Sequence, residues 1–193
     1  MRAVIQAVSS ASVRVEGGEP RAIGPGIMIL LGVRDTDTLD IVPKLADKCA
    51  GLRIFPDAEG KLNLSARDLG YSALVVSQFT LYGDTRKGYR PSFIKAAKPP
   101  LSVDAYELFL AEMAKHGLKD VQHGEFGAHM QVSLVNEGPC TIIIDTDEWK
   151  KRSNHARFSH SCGTAAVYQH LSAHLRCRPC RGHRPGGRGA QLR

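Results

Sequence analysis

Two short polar stretches interrupt otherwise apolar segments of this chain, and both carry residue types suited to chemistry. In Ser77-Gln78-Phe79-Thr80, an apolar run that begins at Ala73 gains three hydrogen-bonding side chains in four residues. If the strand continues through Leu81, Gln78 and Thr80 share one face. Two readings stay open: a strand leaving the core for its solvent edge, or the wall of a site where an amide and a hydroxyl find partners in a bound ligand. The second stretch is Asn136-Glu137-Gly138-Pro139-Cys140-Thr141, between the strand-like segments 130–135 and 140–145. It reads either as a hairpin turn or as a Gly-Pro peptide held cis, which would fix the direction of the Gly138 carbonyl.

Other chemistries find little support. The chain has no Gly-x-Ser-x-Gly elbow, no phosphate-loop signature, no Gly-x-Gly-x-x-Gly after a strand and no His-Glu-x-x-His. His116, His123 and His129 lie at a helix end or in loops, and none falls beside a nucleophile in sequence. No cofactor and no metal are expected in the part of the chain that holds the two polar stretches.

The elements that must position these stretches follow from periodicity. Residues 1–15 alternate as a strand, and Ile27–Val33 is a glycine-bounded apolar run expected of a strand buried on both faces. Thr38 or Asp40 is placed to cap a helix whose face carries Ile41, Leu45, Cys49 and Leu52. Arg53–Phe55 and Leu62–Ser65 flank the turn Pro56–Gly60 as a hairpin, and Ala73–Leu81 is the most strand-like segment. After Pro99-Pro100, Ser102 is placed to cap a helix carrying Tyr106, Phe109, Leu110 and Met113. This order predicts a mixed α/β domain, largely antiparallel with two main helices, over residues 1–147.

Net charge is +7, but from Trp149 to Arg193 there are ten Lys or Arg and no acidic residue. Residues 1–148 therefore hold sixteen basic and nineteen acidic groups, so the positive charge belongs to the end of the chain. Residues 148–193 are rich in Arg, His, Ser and Gly and are expected to form a basic, disordered extension. His170, His174, Cys177 and Cys180 have ligand types and spacing that zinc uses; nonspecific RNA affinity and an inert extension are the alternatives. The five cysteines form no disulfide framework, and no secretory signal or membrane-length apolar run is present, so a cytosolic location is expected.

Together the two polar stretches resemble the paired signature of D-aminoacyl-tRNA deacylases, Ser-Gln-x-Thr and Asn-x-Gly-Pro-x-Thr, in order and separation. Ala3-Val4-Ile5-Gln6, Leu52-Arg53-Ile54-Phe55, Asp84-Thr85-Arg86-Lys87-Gly88, Arg90-Pro91-Ser92-Phe93 and Gly124–Val132 extend the likeness over residues 1–147. The resemblance implies a homodimer with its active site at the subunit interface, where one subunit's Gly138-Pro139 enters the other's pocket. It implies hydrolysis of the ester in D-aminoacyl-tRNA and glycyl-tRNA, with L substrates excluded by that rigid motif. Ser77, Gln78, Phe79 and Thr80 would be the catalytic set. Asn136, Gly138, Pro139, Phe126 and Met130 would meet the substrate, and the loop with Arg86, Lys87 and Arg90 would meet the tRNA. In the family, backbone groups and the RNA 2′-hydroxyl are thought to carry the reaction, with Thr80 positioning rather than attacking. Three positions mark this chain out. Ala7 stands where the family usually has an arginine that helps hold the Gly-Pro motif, and Cys140 where Val or Phe is more common. Ser77 is retained where a related branch with relaxed chirality has proline.

Overall fold

A computed structural model of the chain describes residues 1–150; the expectations placed on 151–193, including His170, His174, Cys177 and Cys180, lie outside the described residues. The elements run β1 (Arg2–Val15), β2 (Arg21–Ile23), β3 (Gly26–Gly32), α1 (Val42–Ala50), β4 (Arg53–Pro56), β5 (Leu62–Ser65), β6 (Ser72–Ser77), α2 (Leu101–Met113), β7 (Val121–His123), β8 (Met130–Asp145) and α3 (Asp147–Lys150). Single 3-10 turns precede α1, at Leu39–Ile41, and follow β6, at Phe79–Tyr82. The mixed α/β class and the two main helices are as expected. The principal sheet has the order β2-β1-β3-β6-β7, with β8 along the other edge of β1, and β4 and β5 form a separate hairpin. β1 pairs antiparallel with β2, β3 and β8, whereas β3–β6 and β6–β7 are parallel.

β3 and β6 are apolar throughout because both faces are covered. Ile27, Ile29, Leu31, Ala73 and Val75 point into a core with Val42, Leu45 and Cys49 of α1 and Tyr106, Phe109 and Met113 of α2. Met28, Leu74 and Val76 point the other way, into a smaller core with Val8, Ala11 and Val13. β1 serves both cores. Ala3, Ile5 and Ala7 face the first core, and Ala11 and Val13, of the same parity, face the second. The change of face is made at Ser9, the one residue of β1 between the pairs Val8–Asn136 and Ser10–Val135.

β8 departs from the sequence reading. Of the two readings open for 136–139 the hairpin turn is absent: residues 130–145 form one continuous strand, paired with β1 at both ends. Between the pairs Val8–Asn136 and Gln6–Thr141, β1 has only Ala7 while β8 has Glu137, Gly138, Pro139 and Cys140. These four residues arch out of the ladder, with the Gly138-Pro139 peptide cis.

The helix caps differ from expectation as well. Thr38 makes no cap hydrogen bond to backbone; its hydroxyl donates to Asp40 instead. The second helix starts at Leu101 after Pro100, so Ser102 is inside its first turn, where its buried hydroxyl has no partner among the described residues. At the sheet's end the Met1 ammonium donates to Asp37 (2.7 Å) and Thr146 (2.5 Å), joining the first strand to the residue that follows the last.

Buried polar groups in the main core are few. Tyr106 donates its hydroxyl hydrogen to the Val75 carbonyl at 3.0 Å, and burial pushes its phenol well above the usual range. Burial likewise pushes the Cys49 thiol up to about 12, so hardly any thiolate forms near neutrality. Tyr106→Phe is expected to lower stability by about 1 kcal/mol in urea unfolding, the usual net value of one buried hydrogen bond. In folded protein at pH 8, iodoacetamide should leave Cys49 unmodified while half-exposed Cys140 reacts, as read by peptide mass mapping.

Candidate functional site

The Ser77–Thr80 stretch is not a strand edge. β6 stops at Ser77, and Phe79–Tyr82 form a 3-10 turn, so Gln78 and Thr80 do not alternate on one strand face. They still meet, because Gln78 Nε2 donates to the Thr80 hydroxyl oxygen. The turn begins with the Leu81 amide donating to the Gln78 carbonyl (3.3 Å), which leaves the amides of Phe79 and Thr80 ahead of its first hydrogen bond. Ser77 and Gln78 are half-buried, while Phe79 and Thr80 are exposed. The local product is a pair of adjacent N–H groups ahead of the turn's first hydrogen bond, with an amide and a hydroxyl beside them.

What holds this turn lies far away in sequence. The Gln78 amide donates to the Leu31 carbonyl at 2.7 Å, extending the β3–β6 pairing by one rung. Arg2 donates to the Leu81 carbonyl (2.7 Å) and to Asp145 (2.7 and 3.1 Å), with its guanidinium 5.1 Å from the centre of the Tyr82 ring. Gly32 supplies the clearance. A Cβ there would fall 3.1 Å from the Gln78 carbonyl oxygen, 3.2 Å from Leu81 Cβ and 3.3 Å from the Tyr82 ring. The apolar run ending in Gly32 was legible in the sequence, but nothing in it linked Arg2 to a turn 79 residues on.

The basic loop lies next to this turn. Phe79 meets Phe93 edge-on at 5.1 Å between ring centres, and Asp84 and Ser92 exchange backbone hydrogen bonds of 2.8 and 3.0 Å that close the loop between them. Inside it, Asp84, Arg86, Lys87, Arg90 and Ser92 border an open cavity of about 450 Å³. Asp84 accepts from the Arg86 backbone (3.1 Å) and guanidinium (2.8 and 3.0 Å), and these bonds hold its carboxyl well below the usual range. Arg86 is therefore partly neutralised, while among the described residues Lys87 and Arg90 have no such partner.

The remaining expected residues are dispersed. Phe126 packs on Tyr106 at 6.1 Å, on the stretch that follows β7. Met130 packs against the smaller core, its sulfur 3.4 Å from the Glu125 amide. Gly138 and Pro139 are exposed, beside a cavity of about 320 Å³ lined also by Ala7, Ile54, Phe55 and Leu62. Among the described residues, no hydrogen bond or ring contact joins the arch to Ser77–Thr80. Registers account for this: Ser77 shares a row with Leu31, Ala3 and Ile144, three strands from β8, and the arch lies opposite Ala7, four residues further along β1. That is about 13 Å along the strands in addition to the three steps across them. Asn136 is held close to its own loop, donating to the Ala7 and Cys140 carbonyls at 3.1 Å. No group of three His, Cys, Asp or Glu side chains among the described residues is placed to hold a metal ion.

Residues 4–145 match the family described as D-Tyr-tRNA(Tyr) deacylase. The chain belongs to that family. A D-aminoacyl-tRNA deacylase of Akkermansia muciniphila is 54% identical over 146 residues, covering 76% of this chain and 97% of the relative. One from Chloroflexus aurantiacus is 55% identical over 148 residues, covering 77% and 92%. Among solved structures, a c-Myc DNA unwinding element binding protein is 40% identical with a TM-score of 0.70, covering 75% of this chain and 98% of that one. A probable eukaryotic D-amino acid tRNA deacylase shares the fold at 17% identity and a TM-score of 0.66.

The Arg2–Asp145 pair gives this turn an acid limit. Burial acts to raise the Asp145 carboxyl, but the Arg2 hydrogen bonds and the Asp147 amide outweigh it and leave it below its usual range. A carboxyl depressed in the folded state adds stability that is present above the unfolded value, about pH 4, and is lost as pH falls through the folded one. Arg2→Ala should therefore lower stability by about 1 kcal/mol at pH 7. The deficit should shrink as pH is taken below about 4 in a series of urea melts.

Proposed function

We propose that the chain hydrolyses the ester bond of D-aminoacyl-tRNA, releasing the D-amino acid and free tRNA. The observation that carries this reading is the Phe79–Tyr82 turn, where two adjacent backbone amides precede the first hydrogen bond at exposed Phe79 and Thr80, in a member of a deacylase family. An ester carbonyl becomes an oxyanion as water attacks it. A preorganised N–H aimed at that oxygen lowers the barrier by about 3 kcal/mol per donor. The amides of Phe79 and Thr80 are the donors in this proposal. Gln78 occupies an acceptor site of the Thr80 hydroxyl and leaves its hydrogen free to bond substrate. No imidazole or carboxylate contacts Thr80 among the described residues, so a positioning role fits better than attack by its oxygen.

Chirality would be set by a second copy of the chain. Its Gly138-Pro139 arch would fill the space an L side chain needs, so that D substrates and glycine are accepted and L substrates refused. Two features support a two-chain site. Within one chain the arch and the turn are separated by three strand steps and four residues along β1, as the registers require. β8 also has no partner on its outer edge among the described residues, and Val135 and Ile143 on it are 56% and 66% exposed. Lys87 and Arg90 would meet tRNA phosphates close to the turn, with Arg86 oriented by Asp84. Residues 1–147 would form the catalytic domain and 148–193 a basic extension without a catalytic part. Among the described residues no helix is long and apolar enough to cross a membrane, and a cytosolic location fits a tRNA substrate.

Incubation with D-Tyr-tRNA and L-Tyr-tRNA tests the reading: D-selective release at catalytic enzyme levels is expected, and its absence would sink the proposal. Thr80→Val should lower kcat about tenfold to a hundredfold on D-Tyr-tRNA, corresponding to loss of one transition-state contact of about 1.4–2.7 kcal/mol. Lys87→Ala and Arg90→Ala should each reduce the slope of log affinity against log salt by about one. An unchanged slope would place the RNA elsewhere.

A further inference from the structure

Gly138 and Pro139 at the tip of the arch are exposed, while Cys140 at its end packs against the main core. The space between the arch and the β4–β5 hairpin is the cavity of about 320 Å³, walled on the far side by Ile54, Phe55, Pro56 and Leu62. The tip that borders this cavity is positioned by the hydrogen bonds of its feet, with Cys140 as its one packed side chain among the described residues. Ala7, the one β1 residue opposite the arch, offers it no side-chain contact beyond a methyl group, and its side chain faces the main core. Polar anchorage comes from another residue.

Asn136 stands where β8 leaves the ladder, and every polar atom of its side chain is engaged. Nδ2 donates to the Ala7 carbonyl and to the Cys140 carbonyl, each at 3.1 Å, and Oδ1 accepts from the Cys140 amide at 3.2 Å. One carboxamide thus spans the arch from its first foot to its last residue and also ties both to β1. The geometry is specific to that group. Two donors and an acceptor are needed within one plane, which an asparagine supplies and an aspartate or leucine of similar size does not. At the other foot Gln6 Nε2 donates to the Thr141 hydroxyl at 3.3 Å, a longer bond on an exposed pair. Between the feet, Gly138 has φ +127, and a Cβ on it would lie 2.8 Å from the Cys140 amide nitrogen, the same nitrogen that Asn136 holds. The amide clamp and the glycine thus fix one segment from two sides.

We infer that Asn136 is a positioning residue for chiral selection: its carboxamide sets where Gly138 and Pro139 stand, and so how strictly L-aminoacyl esters are refused. Its donors and acceptor are used within its own chain, so it would act through the arch and not, as the sequence suggested, by meeting the substrate itself. The inference deepens the functional reading above and rests on its account of how the arch excludes L substrates.

The test is the ratio of kcat/KM for D-Tyr-tRNA to that for L-Tyr-tRNA, measured for the full-length chain and for Asn136→Ala. The expected result is a fall of tenfold or more in the ratio, arising from faster hydrolysis of the L ester. Hydrogen exchange of the Cys140 amide should accelerate in the same variant. Should Asn136→Ala not fold, Asn136→Ser carries the same comparison, with a hydroxyl able to donate to only one of the two carbonyls. If the wild type is selective and the variants keep the same ratio, or lose both activities equally, Asn136 has a structural role only and the inference is overturned. If the wild type itself hydrolyses both enantiomers alike, the chiral reading fails first and the inference falls with it.

Discussion

The β1–β8 ribbon must serve two cores on opposite faces of one sheet, and side chains on a strand alternate strictly. A strand changes the face it buries only by gaining an odd number of residues against its partner. β1 does so with Ser9 and β8 with the three residues by which Glu137–Cys140 exceed Ala7. The two changes fall at the same level, so the ribbon turns over as a unit: Ala3, Ile5, Ile142 and Ile144 pack on one core, and Ala11, Val13, Met130 and Leu134 on the other. Where the ribbon turns, backbone has to leave the ladder. The arch carrying Gly138 and Pro139 is the longer of these two departures, so the most distinctive loop of the chain originates in the requirement for two cores.

The other departure of backbone from the sheet is at the end of β6. There the chain leaves its parallel neighbours after Ser77 and closes a single 3-10 turn, which is held by the Leu31 carbonyl, by Arg2 and by the empty space at Gly32. Arg2 belongs to β1 and Asp145 to β8, so the same ribbon that carries the arch at its middle secures the turn from its end. One pair of strands thereby fixes both polar stretches, and fixes them far apart within the chain. A reading in which they meet therefore calls for two chains.

Much of this was legible in the residues. The apolar run Ile27–Val33, the hairpin around Pro56–Gly60 and the two amphipathic helices follow directly from periodicity and turn chemistry, and they appear where expected. The two polar stretches also stood out, since nothing in a folding argument required them. The misreadings share a cause. Asn, Gly and Pro at 136–139 have the composition of a reversal, and only pairing with β1 on both sides turns them into an arch within one strand. Ala73–Leu81 has the composition of a strand to its end, yet β3 pairs with it only as far as Ser77. The change of face at Ser9 is hidden because Ala7 and Ala11 have the same parity in sequence while burying opposite sides. In each case the missing information was a partner strand, which local pattern does not contain.

The turn at 79–82 is made of backbone amides, a carboxamide, a hydroxyl and a phenyl ring. None of Ser77, Gln78, Phe79 and Thr80 changes charge between pH 5 and 8, and none is a thiol. Its readiness is thus fixed once, when the chain folds, and does not follow the protons or oxidants around it. Between pH 5 and 8 such a turn would be lost through distortion of its backbone, not through titration of its own side chains.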